Sequence, residues 1–281
     1  MRIANRAGRL VLLGDGVALD VERASGGRFG PDPMDVWAAW ADFRAWADDV
    51  SPADGEPFER ADLGPCVPRP AAVYAIGLNY RDHAEEAGLD VPSTPMVFTK
   101  FPTCLAGPEA DLPLTSNRVD WEAELVVVMG ARARAVPETQ ALDRVAGYCV
   151  GQDISDRRLQ FKDKPAQFSL GKSLRGFGPI GPAVTTLDAL ADPLDLAIGC
   201  TLEGEAVQKS RTREMIFNVP ELVAFLSRHV DLEPGDLIFT GTPAGVGSVR
   251  TPRRYLTEGE QLETEIEGLG VLRNRCVPGG T

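Results

Sequence analysis

Residues 119–130 read VDWEAELVVVMG, and this stretch limits the fold more than any other in the chain. As a strand, its alternation places Asp120, Glu122 and Glu124 on one face and Trp121, Ala123 and Leu125 on the other. The run continues into Val126, Val127 and Val128, whose unbroken β-branched character fits a strand covered on both sides. A fold that buries this segment must accommodate three neighbouring acids. Like charges repel, and burial raises the cost of each ionised form. Water, cationic side chains or a bound cation can offset that cost. An all-oxygen ligand set favours a hard ion, Mg²⁺ or Mn²⁺, over Zn²⁺. The competing explanation is a solvent-facing edge strand with ordinary acidic decoration.

From about residue 70, short apolar runs recur between Gly and Pro turns: AAVYAIGL, PMVFTK, AELVVVMG, GYCVGQDI, IGPAVTT, LAIGCTLEG and DLIFTGTP. The 29 glycines and 22 prolines supply those turns. Helices are fewer. VPELVAFLSRHV is the clearest, with Pro at an early position and Leu222, Val223, Phe225 and Leu226 turned inward. Nearer the start, RLVLLGDG and VALDV precede DVWAAWADFRAWADDV, where Trp37, Trp40 and Phe43 recur at helical spacing as a core stripe. A turn-rich connection then leads from a small N-terminal domain, residues 1–65, into a larger unit, residues 66–281. The expected fold class is α+β, mostly β.

A formal net charge of −12 with scattered Lys and Arg argues against a nucleic-acid surface, which needs clustered cations. Five well-separated cysteines without a CxxC pair read as reduced thiols. The opening residues lack a signal-peptide pattern, and no window approaches a membrane span. A cytoplasmic protein with no membrane partner is expected.

Other segments could carry chemistry. If NYRDHAEEAG is helical, His83 and Glu86 share a face, close enough for the carboxylate to orient the imidazole; a surface pair is the plainer alternative. In GYCVGQDISDRRLQ, Asp153 ends a β-like run and either caps the next helix or joins the acids, while Arg157 and Gln160 could present donors to a carboxylate. Lys172 lies among glycines and prolines in FSLGKSLRGFGPIGP, placed to meet a developing enolate or simply exposed. LEPGDLIFTGTPAGVG ends in a Gly-rich loop with Thr240 and Thr242, able to bind an anion but lacking the spacing of an ATP-binding loop.

Taken together and in this order, IGLNYRDHAEE, DWEAEL, QDISDR, GKSLRGFGPIGP, MIF at 215–217 and LEPGDLIFTGTPAGVG resemble the fumarylacetoacetate hydrolase family over roughly residues 70–277. The resemblance implies a rolled, mixed β-sheet catalytic domain with a small N-terminal domain, commonly in a homodimer. It implies a metal triad of Glu122, Glu124 and Asp153, with Asp120 beside it. It also implies a water-activating dyad of His83 and Glu86, the lysine near the metal at Lys172, and substrate contacts from Arg157, Gln160 and Thr242. Two positions depart from the family pattern: Leu174 and Arg175 follow Ser173 where an Asp is frequent, and Gln152 stands where Asn is frequent. The implied reaction is Mg²⁺-dependent hydrolysis of a C–C bond in an acylpyruvate-like 1,3-dioxo acid through a metal-stabilised pyruvate enolate. Decarboxylation of an oxaloacetate-type dioate and isomerisation of a hydroxymuconate-type dioate are the alternatives, and a binding protein without turnover is the rival of a different class.

Overall fold

The structure is a computed structural model that describes residues 1–279. Its main sheet has eleven strands. From one edge, the order is Glu56–Pro57, Val17–Asp20, Arg9–Leu13, Arg2–Arg6, Gly178–Thr186, Val145–Gln152, Ala123–Met129, Leu237–Phe239, Val73–Gly77 and Met96–Thr99, with Leu105–Ala106 beside Gly178–Thr186. Leu237–Phe239 runs parallel to Val73–Gly77, and Leu105–Ala106 runs parallel to Gly178–Thr186; the other pairings in this sheet are antiparallel. A second sheet of five strands packs against it in the order Glu205–Arg211, Ala197–Leu202, Gln261–Ile266, Gly270–Pro278 and Leu112–Leu114. The expectation of a mostly β, mixed-sheet molecule holds.

Ala123–Met129 lies at the centre, and every residue in it is buried. Leu125, Val127 and Met129 pack into a core shared with Ile198, Leu262 and Leu272 of the second sheet. Val126 and Val128 pack on the opposite side with Trp37 and Phe43. The valine run is therefore covered from both directions, as its lack of polar alternation requires.

Residues 1–65 join the same sheet, because Arg2–Arg6 pairs antiparallel with Gly178–Thr186, Arg2 opposite Thr185. Their aromatic stripe is carried on two helices, Asp35–Ala38 and Trp40–Ala47, interrupted at Ala39. Helix Val219–Ser227 starts at an Asn218–Glu221 capping box that satisfies backbone donors at both positions. Leu222, Val223 and Leu226 are buried, whereas Phe225 is only partly covered and lies 4.9 Å from the His229 ring. The hairpin of Gln261–Ile266 and Gly270–Pro278 is not among the sequence-predicted strands. Its alternation of Leu262, Thr264 and Ile266 inward with Glu263 and Glu265 between them is the signal that marks it.

One buried asparagine joins the elements around the later cavity. Asn79 donates to the carbonyls of Phe217 at 3.0 Å and Thr240 at 2.7 Å and accepts from Phe217 N at 2.9 Å. Asn79→Ala removes all three bonds and leaves buried backbone groups unpaired. It is expected to lower the unfolding free energy by about 2–4 kcal/mol, read as a lower urea midpoint at unchanged slope. An unchanged midpoint would show that this junction is held by other contacts.

Candidate active site

The acidic stretch is not one continuous strand. Val119–Asp120 pairs with Ser155–Asp156, and the long strand begins afresh at Ala123. Side chains replace ladder partners across the break: Glu122 N donates to Gln152 Oε1 at 2.9 Å, and Ala123 N donates to Gln208 Oε1 at 2.9 Å. Asp120 turns away from the other acids, accepting from Gly247 N at 2.7 Å, Ser248 N at 3.0 Å and Arg157 Nε at 2.8 Å. A side chain at Gly247 would collide with the Arg254 carbonyl, so the Asp120 oxygen and that carbonyl both require glycine there.

Asp153 replaces Asp120 in the cluster. It follows Val145–Gln152 directly and bonds through its amide to the Glu122 carbonyl at 2.9 Å. The cap of helix Arg157–Gln160 is Asp156, not Asp153, since Asp156 accepts from Arg158 N and Leu159 N. Glu122, Glu124 and Asp153 thus converge, each offering one oxygen within 4.8 Å of the others, all three buried.

Two cations cross this cluster. Lys172 Nζ donates to Glu122 Oε2 at 2.8 Å, Asp153 Oδ2 at 2.6 Å and Ser155 Oγ at 2.9 Å. Arg157 Nη2 reaches Glu122 Oε1 at 2.6 Å, while its Nη1 donates to Gln160 Oε1 at 2.9 Å. Burial alone would raise the Glu122 carboxyl, but the charges of Lys172 and Arg157 outweigh it and bring the group to about 2. Glu124 has no cationic partner among the described residues; it accepts from Gly241 N at 2.7 Å. Burial, then the neighbouring Asp153 and Glu122, push its carboxyl well above the ordinary range. A buried carboxylate without a counter-charge, beside two others in an all-oxygen set, fits a hard divalent cation.

Helix Arg81–Ala87 carries His83 and Glu86 on one face and ends at Gly88 in the left-handed conformation. His83 Nδ1 lies 3.7 Å from Glu86 Oε2, too far for a hydrogen bond, and is buried without another partner. Glu86 Oε2 instead accepts from Gly245 N at 2.9 Å, tying the helix to the Gly-rich loop. His83, Glu122, Arg157, Gln160, Lys172 and Thr242 line one cavity of about 170 Å³. Glu124 and Asp153 are buried and do not line it, and Glu86 lines a separate cleft of about 580 Å³ with Arg250 and Arg254. Thr242 Oγ1 donates to the Ala123 carbonyl at 2.9 Å and accepts from Gln208 Nε2 at 2.8 Å; Thr240 Oγ1 donates to the Leu125 carbonyl at 2.9 Å. Larger clefts beside Arg9, about 480 Å³, and across the second sheet, about 730 Å³, bring together no comparable set of acids and base.

Sequence reasoning missed three supporting residues. Gln208 joins the second sheet to Ala123 and Thr242. Gln152 holds Glu122 N and donates to Thr264 Oγ1 at 2.8 Å. Lys100 is fully buried against Asp153. Only the rarity of lysine in this chain hinted at Lys100; Gln152 was marked only as a departure from the family pattern, and nothing local marked Gln208.

Residues 72–277 match the model of the fumarylacetoacetate (FAA) hydrolase C-terminal domain. The chain belongs to the fumarylacetoacetate hydrolase family. It is 44% identical over 213 residues to the mitochondrial oxaloacetate tautomerase FAHD2A of Bos taurus, covering 75% of this chain and 68% of that protein. The structure of fumarylacetoacetate hydrolase from Exiguobacterium antarcticum superposes with a TM-score of 0.85 at 30% identity, covering 100% of each chain. Fumarylpyruvate hydrolase from Pseudomonas aeruginosa, solved with Mn²⁺ and pyruvate, superposes with a TM-score of 0.66 at 34% identity over 74% of this chain and 89% of that one.

Glu122 carries a pH signature. Its carboxyl sits at about 2 in the fold against an ordinary 4.5, so the unfolded chain binds that proton more tightly. Its contribution to stability is complete above about pH 4.5 and fades as pH falls toward 2. Glu124, shifted upward, acts in the opposite sense and disfavours the fold as it ionises. In Glu122→Gln the loss of thermal stability between pH 4.5 and about 2 is expected to be shallower than in the parent. Parallel acid limbs would show that another group controls it.

Proposed function

We propose that the protein is a divalent-cation-dependent hydrolase that cleaves a C–C bond in an acylpyruvate-like 1,3-dioxo acid by way of the pyruvate enolate. One observation supports this choice among family reactions: the cavity that presents His83 beside Glu122 and Lys172 has an apolar outer wall, open to solvent at Leu89, Met96 and Phe161. Leu89, Met96, Phe98, Phe161 and Phe168 form that wall, and both cations lining the cavity, Arg157 and Lys172, are already paired with carboxylates. Such a wall receives an acyl group more readily than a second free carboxylate.

Mg²⁺, or Mn²⁺ in its place, would be held by Glu122, Glu124 and Asp153 and would supply a Lewis acid for the 2-oxo carboxylate end. His83 takes the proton of the attacking water. Its Nδ1 is turned toward Glu86, which leaves Nε2 for the reacting proton, and the Glu86 charge stabilises the imidazolium that forms. The separation of 3.7 Å is one that substrate binding can shorten. Water adds to the distal carbonyl, the C–C bond breaks toward pyruvate, and a carboxylic acid leaves. The charge of Lys172, whose three N–H groups already face Glu122, Asp153 and Ser155, stabilises the enolate. The remaining N–H groups of Arg157 and the Gln160 amide orient the acid end, and Thr242 joins them once its hydroxyl turns from the Ala123 carbonyl. Protonation at carbon then gives pyruvate.

Keto–enol interconversion of oxaloacetate is a second reading, favoured by the 44% identity to the bovine oxaloacetate tautomerase. There, His83 would move a proton on carbon instead of water.

An NMR-monitored screen with Mg²⁺ over acetylpyruvate, fumarylpyruvate, oxaloacetate and hydroxymuconate-type dioates separates the reactions by product. Acetate and pyruvate from acetylpyruvate are the expected products; turnover of oxaloacetate alone would overturn hydrolysis. His83→Ala is expected to slow hydrolysis by roughly 10²–10⁴-fold and to affect oxaloacetate decarboxylation far less, whereas equal losses would argue against water activation. Glu124→Ala is expected to abolish the cation-dependent activity, and calorimetry showing unchanged Mn²⁺ affinity in that variant would remove Glu124 from the metal site.

A further inference from the structure

Lys100 follows the exposed edge strand Met96–Thr99, yet its side chain is fully buried. Three ammonium N–H groups need three acceptors, and Nζ has them: Asp153 Oδ1 at 2.7 Å, the Phe177 carbonyl at 3.1 Å and the carbonyl of Lys172. The first acceptor belongs to the acidic triad. The third belongs to the main chain of the residue whose own ammonium bridges Glu122 and Asp153. Lys100 therefore grips both sides of one contact: it takes Oδ1 of Asp153 and leaves Oδ2 for Lys172 and the interior of the cluster.

Lys100 also decides the charge. Ion pairs run without a break from Lys100 to Asp153, Lys172, Glu122, Arg157 and Asp120. Cations and anions in that chain are equal in number, so Glu124 alone is unbalanced. A divalent cation joining the set brings it to one net positive charge, the complement of one substrate carboxylate. Without Lys100 the same loaded set would be neutral.

We propose that Lys100 is a positioning residue of this site: it fixes Asp153 and the Lys172 main chain in one register and supplies the charge that lets the cation-loaded site hold an anionic 2-oxo acid. The inference rests on the proposed metal-dependent function, and the wild-type arm below tests that function separately.

The experiment measures Mn²⁺ binding by calorimetry, and then binding of oxalate to the Mn²⁺-loaded protein, for the wild type, Lys100→Met and Lys100→Gln. In both variants oxalate affinity is expected to fall on the order of tenfold or more while Mn²⁺ affinity changes far less, because removing a neighbouring positive charge favours the cation and opposes the looser hold on Asp153. A residue that only filled space would lower both affinities together, and that result, or unchanged oxalate affinity, overturns the proposal. A wild type that binds no Mn²⁺ overturns the metal-dependent function itself and the Lys100 role with it. Should both variants fail to fold, ¹H–¹⁵N spectra of the wild-type lysine ammonium groups decide. A slowly exchanging Lys100 signal that survives saturation with Mg²⁺ supports the role, and its loss on Mg²⁺ addition overturns it.

Discussion

A line of buried ion pairs holds this structure's chemistry in place. From Lys100 through Asp153, Lys172, Glu122 and Arg157 to Asp120, each charge lies within 2.6 to 2.8 Å of the next. Breaking one buried pair by removing a partner costs about 3–5 kcal/mol, because the remaining charge is stranded away from water. The line spans the end of the Met96–Thr99 edge strand, the Val145–Gln152 strand end, the loop after Phe168–Gly171, the break before Ala123, the helix Arg157–Gln160 and the short strand Val119–Asp120. Elements far apart in the chain are locked together by charge at a place where apolar packing alone could not close.

That line is possible only because the rest of the fold keeps water out. Ala123–Met129 is covered on one side by the second sheet and on the other by the aromatic helices of the N-terminal segment. With both faces sealed, the acids at the start of the strand are buried, and Glu122 among them lines the small cavity at His83. Low polarity strengthens each pair, and it makes Glu124, the acid of this cluster without a cationic partner among the described residues, the natural point of attachment for a cation. The N-terminal segment therefore contributes to the site without contributing a residue to it.

Much of the candidate set was legible in the sequence, and the reasons are local. His83 and Glu86 stand three apart on a short helix, and Glu122 and Glu124 two apart beside a valine run, so one period links each pair. Asp153 was legible as an acid at a strand end, but its freedom from capping depended on Asp156 taking that role. The alternation that placed Asp120 with the other two acids failed because the strand breaks at Trp121 and Glu122, where Gln152 and Gln208 replace the ladder. Those glutamines come from other strands, and no spacing in the sequence ties them to the break.

By itself, then, the sequence determined the element types, the buried central strand, the order of the motifs and so the family, because hydrophobic period, turn residues and short spacings act within a few residues. Tertiary structure alone decided which charges meet. It sent Asp120 to the Gly247 loop, turned Lys100 inward from an exposed edge, engaged Arg157 with carboxylates and left Glu124 without a counter-charge. Electrostatic partners are chosen by proximity in space and by the exclusion of water, and neither property is carried by neighbours along the chain.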